Sequence, residues 1–315
     1  MTTLITGATG FLGQHLARLL VDRGDRVRVL ARPSAPPGAL RELDAEIVEG
    51  DVREGGGLPG AAAGCELVFH LAGIVSHERR RLPEMRAVNV DATRRLLASV
   101  EPTARVVHVS SVAAIGPASS PHRPADEHHE FPAAAARLPY AATKREGELL
   151  ALEAAAAGLD VVVANPGFLL GPGDLRRVST WPVLAYLAGK LRFTTRGGLS
   201  FVDVRDVARG LVALAQRGRA GERTILTAEA GNLGWPAFFE LIASVSGLRR
   251  RAVPLPVTLA VAAAALPGPV SPDQVRAASN WWFYTPVKAE RELGFRTRPL
   301  AETIADTIAD HRSHP

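Results

Sequence analysis

Apolar residues along the first half of the chain recur with two alternating periods. Leu4 and Ile5 form a short strand-length run. Leu16, Leu19 and Leu20 then repeat at helical spacing up to Gly24, a natural helix stop, and Arg26-Val-Arg-Val-Leu-Ala31 alternates with period two. The same rhythm predicts strands over 45–52, 66–73, 105–109 and 160–165. Between them lie helices, one carrying Asn89 to Leu97 and one running from Tyr140 to a glycine stop at Gly158. Strands alternating with helices at this pitch predict an α/β fold built on a doubly wound parallel sheet. Past residue 165 the pattern loosens. Phe201 to Ala208 reads as a return to the sheet region, Glu222 to Thr227 as a seventh strand, and the remainder as mostly helical. No repeat or linker separates two halves. The expectation is a nucleotide-binding unit of residues 1–165 with 200–228 returning to it, and an interleaved cap of 166–199 and 229–315. The stretch from Gly116 to Pro139 is long, rich in Pro, His and Ala, and predicted to be a functional or mobile loop.

Composition narrows this outline. With 315 residues, 47% of them hydrophobic, the chain has material for a substantial core. The single Cys65 excludes an internal disulfide framework, and a first strand starting at Thr2 or Thr3 leaves no room for a leader, so a cytoplasmic protein is expected. The net charge of +5 comes mostly from arginine, without a basic run interleaved with aromatics. This argues against nucleic-acid partners and keeps anionic small molecules attractive. Only 253–270 looks membrane-like. It is short for a span and holds Pro254, Pro256, Pro267 and Pro269, so it reads as a buried or lid helix without stable membrane insertion. His122, His128 and His129 lack a metal-ligand spacing tied to helix or strand, and no metal is expected.

Chemistry concentrates at the C-terminal ends of the predicted strands, where ligands bind in sheets of this kind. After the first strand come Gly7, Gly10 and Gly13. The first allows a tight turn, the second a close approach of backbone to a diphosphate, and the third close packing of helix on strand. A phosphate would sit at the helix N-terminus against Thr9, Phe11 and Leu12. Arg32 follows the second strand, where a free ribose hydroxyl usually meets an acid and a 2′-phosphate needs a cation. It argues for NADP, with NAD as the alternative. Asp51 and Val52 end the third strand, Leu71, Ala72 and Gly73 the fourth, Ser110 and Ser111 the fifth, and Pro166, Gly167 and Phe168 follow the sixth. All are assigned to the same cofactor edge.

Each of the three tyrosines has a lysine four residues on: Tyr140 with Lys144, Tyr186 with Lys190, Tyr284 with Lys288. Spacing alone cannot choose among them. Pro286 interrupts the third pair and Gly189 weakens the second, while the first sits in uninterrupted helix directly after the strand ending in Ser111. Carbonyl reduction by a nicotinamide needs a proton donor for the developing alkoxide. Tyr140 would be that acid/base, Lys144 would favour its phenolate and grip the nicotinamide ribose, and Ser111 would orient the substrate oxygen.

The assembled pattern resembles the extended short-chain dehydrogenase/reductases of the NAD-dependent epimerase/dehydratase superfamily. Thr6-Gly7-Ala-Thr-Gly10-Phe-Leu-Gly13 resembles their cofactor motif, and His70-Leu-Ala-Gly73 their fourth-strand motif. Asn89 matches their helical asparagine, Ser111 with Tyr140-Ala-Ala-Thr-Lys144 their catalytic set, and Lys288-Ala-Glu-Arg-Glu-Leu-Gly-Phe295 their C-terminal signature. The resemblance implies a Rossmann-type domain, a catalytic role for Asn89, a small C-terminal substrate region, and a homodimer formed through the helices carrying Asn89 and Tyr140. Sugar dehydratases of the family place an Asp-Glu pair after the catalytic Ser or Thr. Here Val112-Ala113 stands instead, which argues against dehydration. Phe168 replaces the asparagine that many nucleotide-sugar epimerases carry, and Val29-Leu-Ala-Arg32-Pro33 with Pro166-x-x-x-x-Gly171-Pro172 is similar to the dihydroflavonol-reductase and 3β-hydroxysteroid-dehydrogenase-like branch. The resulting expectation is an NADPH-dependent reductase of an apolar or aromatic carbonyl, with Phe168, Trp281 and Trp282 lining the substrate pocket. The alternatives are an epimerase of a nucleotide-linked or lipid-linked sugar and a non-catalytic nucleotide-sensing regulator.

Overall fold

The computed structural model describes residues 2–34, 40, 43–191, 193–248, 250, 252–266 and 270–314. Seven strands form one sheet: β1 (Thr2–Thr6), β2 (Arg26–Ala31), β3 (Ala45–Glu49), β4 (Leu67–His70), β5 (Arg105–Val109), β6 (Val161–Pro166) and, after three strands placed elsewhere, β10 (Arg223–Leu226). Their order is β10-β6-β5-β4-β1-β2-β3, and every pairing is parallel. The central strands are covered on both faces, which is why β4 and β6 have no exposed residue and read as continuous apolar runs. The edge strand β3 is largely exposed.

Helices cover both faces. The described ones are α1 (Phe11–Asp22), α2 (Leu58–Ala62), α3 (Leu82–Arg86), α4 (Ala92–Ser99), α5 (Pro139–Ala156), α6 (Trp181–Leu187), α7 (Val204–Arg217), α8 (Trp235–Ser246), α9 (Val257–Ala264), α10 (Pro272–Ala278), α11 (Val287–Leu293) and α12 (Leu300–Ser313). On one face α1, α7 and α11 pack Leu16, Leu20, Val207, Leu211 and Leu293 against Ile5, Phe69 and Val107. On the other, α2, α4 and α5 bring Leu58, Leu96 and Ala151 to Leu4, Val68 and Val163. Chain order reverses on either side of β1, which pairs with β2 and with β4, so the C-terminal edge of the sheet opens into a crevice there.

The remaining strands are β7 (Phe168–Leu170), β8 (Phe193–Thr194), β9 (Gly198–Asp203), β11 (Asn232–Gly234), β12 (Val253–Pro254) and β13 (Trp281–Trp282). β9 pairs with β7 and β13 in parallel and with β11 antiparallel, while β8 pairs with β12. This corrects one expectation: the Phe201 stretch does not rejoin the large sheet. β9 carries Phe201, whose ring stacks on Phe238 of α8 at 3.9 Å, and that aromatic face needs its own helical cover. The chain returns to the large sheet through α7 and then β10.

Two further expectations change. The 116–139 stretch is fastened down: the amides of Ala118 and Ala125 donate to the carbonyls of Trp281 and Phe283, and the Ile225 amide donates to Glu127. Of the expected buried or lid helix, the buried alternative falls: no residue of α9 is buried, and only Ala260, Val261 and Ala264 are half-covered. Pro267 and Pro269 of that stretch lie outside the described residues.

Candidate active site

The glycine turn is built by backbone crowding. Gly7 has φ 78°, and a Cβ there would lie 2.6 Å from the Ala72 amide nitrogen and 2.7 Å from the Leu71 carbonyl carbon. A Cβ on Gly13 would lie 2.2 Å from the Gly7 carbonyl oxygen. Only glycines let the β1 end, the β4 end and α1 meet this closely. The Gly10 amide donates to the Gly7 carbonyl at 3.0 Å. α1 has no side-chain cap and no acid in its first turn, leaving its terminal N–H groups and dipole for an anion. Thr9 and Phe11 are half-buried at this turn, and Leu12 commits its side chain to the core, so it offers backbone only.

At the next strand ends, Arg32 is exposed after β2 and lies within electrostatic reach of Asp51. Asp51 is held below the usual carboxylate range, chiefly by hydrogen bonds from Arg53, whose guanidinium donates at 2.6 Å and 2.9 Å. The sequence reading missed Arg53, which brings a second guanidinium beside the position expected to meet a ribose phosphate. Val52 packs on the core next to it.

Ser111, Tyr140 and Lys144 come together. Ser111 begins a 3-10 turn, its hydroxyl accepting from the Ala113 amide at 3.1 Å, and it faces the Tyr140 phenol closely enough to favour its ionised form. Burial pushes that phenol above its usual range and the Ser111 hydroxyl pulls it partly back, whereas Lys144 is not among the groups that move it. Lys144 itself is brought down to about 8 by burial, with Glu148 acting in the opposite direction. Its ammonium donates to the Val109 carbonyl at 3.0 Å and lies 4.0 Å from where a Gly73 Cβ would stand. Gly73 is exposed, so the lysine borders the crevice beside the cofactor edge.

Asn89 sits in a π-helical turn, residues 87–91. Its side chain accepts from the Ile74 amide at 2.8 Å and donates to the Ile74 carbonyl and the Thr143 hydroxyl, each at 3.1 Å. It thereby ties the β4 loop to α5. Gly147 lets α5 approach, because a Cβ there would fall 2.1 Å from the Asn89 carbonyl oxygen. Beneath lies buried His70, between the hydroxyls of Thr6 at 2.7 Å and Thr93 at 3.1 Å. Thr93 donates to the Asn89 carbonyl and so accepts from His70 Nε2, while Thr6 donates to Nδ1. The ring is neutral, and desolvation first, with Lys144 second, lowers it to about 3.

Three residues near this set were not singled out as site residues in the sequence. Glu148, one turn beyond Lys144 and fully buried, accepts from Asn165 at 2.5 Å and pairs with Arg145 and Arg223 at 3.4 Å and 3.2 Å. Asn165 also donates to the Ser111 carbonyl at 3.0 Å, linking that carboxylate to the turn. His77 lies edge-on to Tyr140 with ring centroids 6.5 Å apart. The one available signal for Glu148 was its i+4 spacing from Lys144.

Other assigned residues are committed elsewhere. Ser110 is buried at the β5 end. Pro166 ends β6, Gly167 donates to the Leu226 carbonyl, and Phe168 is half-buried with its ring edge-on to Phe201 at 5.5 Å. Trp282 is a core residue, 8% exposed, its indole donating to the Ala277 carbonyl. Trp281 is half-buried against Phe283. Tyr186 is fully buried, and its phenol donates to the Arg250 carbonyl. Among the described residues no cluster of metal-ligating side chains occurs.

A diphosphate cradle on a doubly wound sheet, with a Ser–Tyr–Lys set at the neighbouring strand ends, defines a nicotinamide-dependent oxidoreductase of the extended short-chain type. The chain belongs to the NAD dependent epimerase/dehydratase family, whose family model matches residues 3–227. It is 33% identical to a dihydroflavonol 4-reductase-like protein of Synechocystis sp., over 98% of this chain and 94% of that one. It is also 33% identical to sterol demethylase protein B of Methylococcus capsulatus, over 98% of both chains. The crystal structure of gox2253 superposes with a TM-score of 0.87 at 30% identity, covering 99% of this chain and 98% of that one.

Proposed function

We propose that the protein is an NADPH-dependent reductase of an apolar or aromatic ketone, working in reverse as an alcohol dehydrogenase. The carrying observation is the Ser111–Tyr140–Lys144 set beside Gly73, followed by Val112 and Ala113 instead of an acidic pair. Residues 1–165 with 200–228 hold the dinucleotide, and 166–199 with 229–315, apart from α11, which packs on the large sheet, form the substrate cap. The reading also makes the enzyme a cytoplasmic homodimer joined through the helices carrying Asn89 and Tyr140.

The nicotinamide, when bound, supplies the hydride. The α1 N-terminus and the Gly7 turn hold its diphosphate, and Arg32 with Arg53 balances a 2′-phosphate. Ser111 orients the substrate carbonyl by hydrogen bonding. Tyr140 Oη gives its proton to the oxygen as negative charge develops there. Lys144 has donors to spare beyond the Val109 carbonyl, and these serve ribose hydroxyls, while the Ser111 hydroxyl favours the phenolate left behind. Asn89 holds the β4 loop and α5 in register for both.

The test is stoichiometry. Purified enzyme given a panel of aromatic and polycyclic ketones should consume one NADPH per alcohol formed. Product appearing without net cofactor turnover would replace this reading with the family's epimerase chemistry, in which the same groups oxidise a ring hydroxyl and return the hydride to the other face.

A further inference from the structure

The substrate cap carries a face unlike the rest of the surface. Of the twelve large hydrophobic residues exposed in the described structure, six cluster along two neighbouring stretches of chain: Phe193, Leu248, Val253, Val257, Leu259 and Leu266. β8 and β12 join these stretches, with Phe193 in register with Val253, and two residues separate the end of β12 from the start of α9. Among its eight residues α9 has one polar side chain, Thr258, and none of the eight is buried. It packs on α10 through one side and leaves the rest of its apolar surface in water, which is costly.

The charge of the same stretches is one-sided. Segments 175–202 and 241–272 together contain eight Lys or Arg and no Asp or Glu, whereas the rest of the chain has 29 basic against 32 acidic residues. The net positive charge of the protein therefore resides in the two segments that the β8–β12 pairing brings together. Lys190, Arg196 and Arg250 among them are exposed. A second copy would place like charge against like charge across a two-fold contact. No helix of the described residues is long and apolar enough to cross a membrane, so the face suits a surface laid on, not through, a bilayer.

We propose that this face docks the cap on an anionic phospholipid bilayer, with Phe193, Leu259 and their neighbours entering the interface and the cations meeting lipid phosphates. Docking stands on these residues alone. Its purpose rests on the reductase reading above: an apolar ketone dissolved in a bilayer would reach the cap from this side.

Cosedimentation of the purified full chain with phosphatidylcholine vesicles, with and without phosphatidylglycerol, tests it. The expected result is capture by the anionic vesicles only, weakened by salt. A Phe193→Ser/Leu259→Ser pair should lower partitioning about tenfold or more, and a Lys190→Glu/Arg250→Glu pair should abolish the preference for anionic lipid. NADPH binding and an unchanged thermal midpoint show that each variant is folded. Failure of the parent protein to bind, or binding that both variant pairs retain, overturns the proposal. So does a lipid-free dimer that the variants dissociate, which would assign the face to a second copy. Turnover of a water-soluble ketone, measured without vesicles, keeps the two readings apart: intact turnover without docking removes only the docking, and docking without reduction of any ketone removes only the reductase.

Discussion

Tyr140–Lys144 and Tyr284–Lys288 share one spacing and contact the same short turn, residues 111–116, yet their chemistry diverges. Tyr140 meets the turn at the Ser111 hydroxyl and is half-buried beside the crevice. Tyr284 has no exposure and donates to the carbonyls of Val112 and Gly116 at 3.0 Å and 2.8 Å. A hydroxyl can donate to a phenolate, whereas a carbonyl can only accept, so the second setting stabilises the phenol alone, and burial drives its ionisation far above the ordinary range. The lysines differ likewise. Lys144 is buried with its ammonium on the Val109 carbonyl, while Lys288 bonds the Arg223 carbonyl at 2.7 Å and the Glu222 carboxylate at 2.8 Å. The groups facing each oxygen and ammonium decide reactivity, and spacing does not.

The largest expected difference between the pairs is in turnover. Tyr140→Phe should lower kcat with a soluble ketone by about a hundred- to ten-thousand-fold while NADPH affinity stays within a few-fold. Tyr284→Phe should leave kcat within a few-fold of the parent. Comparable losses in steady-state assays of both variants would break the distinction.

Next in size is the pH dependence of stability from Lys144. Burial lowers its folded value to about 8 from an unfolded value near 10.5, so below pH 8 the folded state carries the cost of a desolvated ammonium. Between those values the unfolded chain binds the extra proton, and stability therefore rises with pH by about 3 kcal/mol in total. Urea unfolding of the parent against Lys144→Met across that window should show the parent gaining by this amount, and a flat difference would refute the shift. Glu148 opposes the shift, so Glu148→Gln should move the parent's rise to lower pH.

The legible parts of the site were local in sequence. Gly7, Gly10 and Gly13 announce a turn because the crowding that requires them comes from adjacent segments, and the strand periods around them report two-sided burial. Ser111, Tyr140 and Lys144 were legible because a strand tip and the first turns of a helix fix their direction. Glu148 was not, since a carboxylate on a helix ordinarily faces water, and its burial is explained chiefly by Asn165 and Arg223, both distant in the chain. Trp282 illustrates the converse. An aromatic run predicts apolar surroundings but cannot tell a ligand pocket from core, and here the indole is core. α9 fails in the opposite direction, because composition alone reads it as a buried or lid helix, while it packs only in part against α10 and leaves Val257 and Leu259 exposed.

The smallest effect tests what Tyr284 contributes. If it buttresses the turn, Tyr284→Phe removes the one phenol bridging Val112 and Gly116 while keeping the ring within its cluster of Ile115, Ile225 and Trp282. Val112 retains amide donors from Ile115 and Gly116, so the loss falls mainly on the Gly116 carbonyl. The cost should be about 1–3 kcal/mol in equilibrium unfolding. Amide hydrogen exchange should rise across 111–118 and leave α5 unchanged, because α5 is held separately through Asn89 and Glu148. Faster exchange spread evenly over α5 and the turn would mean that the two tyrosines serve one structural unit, and the division of labour between them would fall.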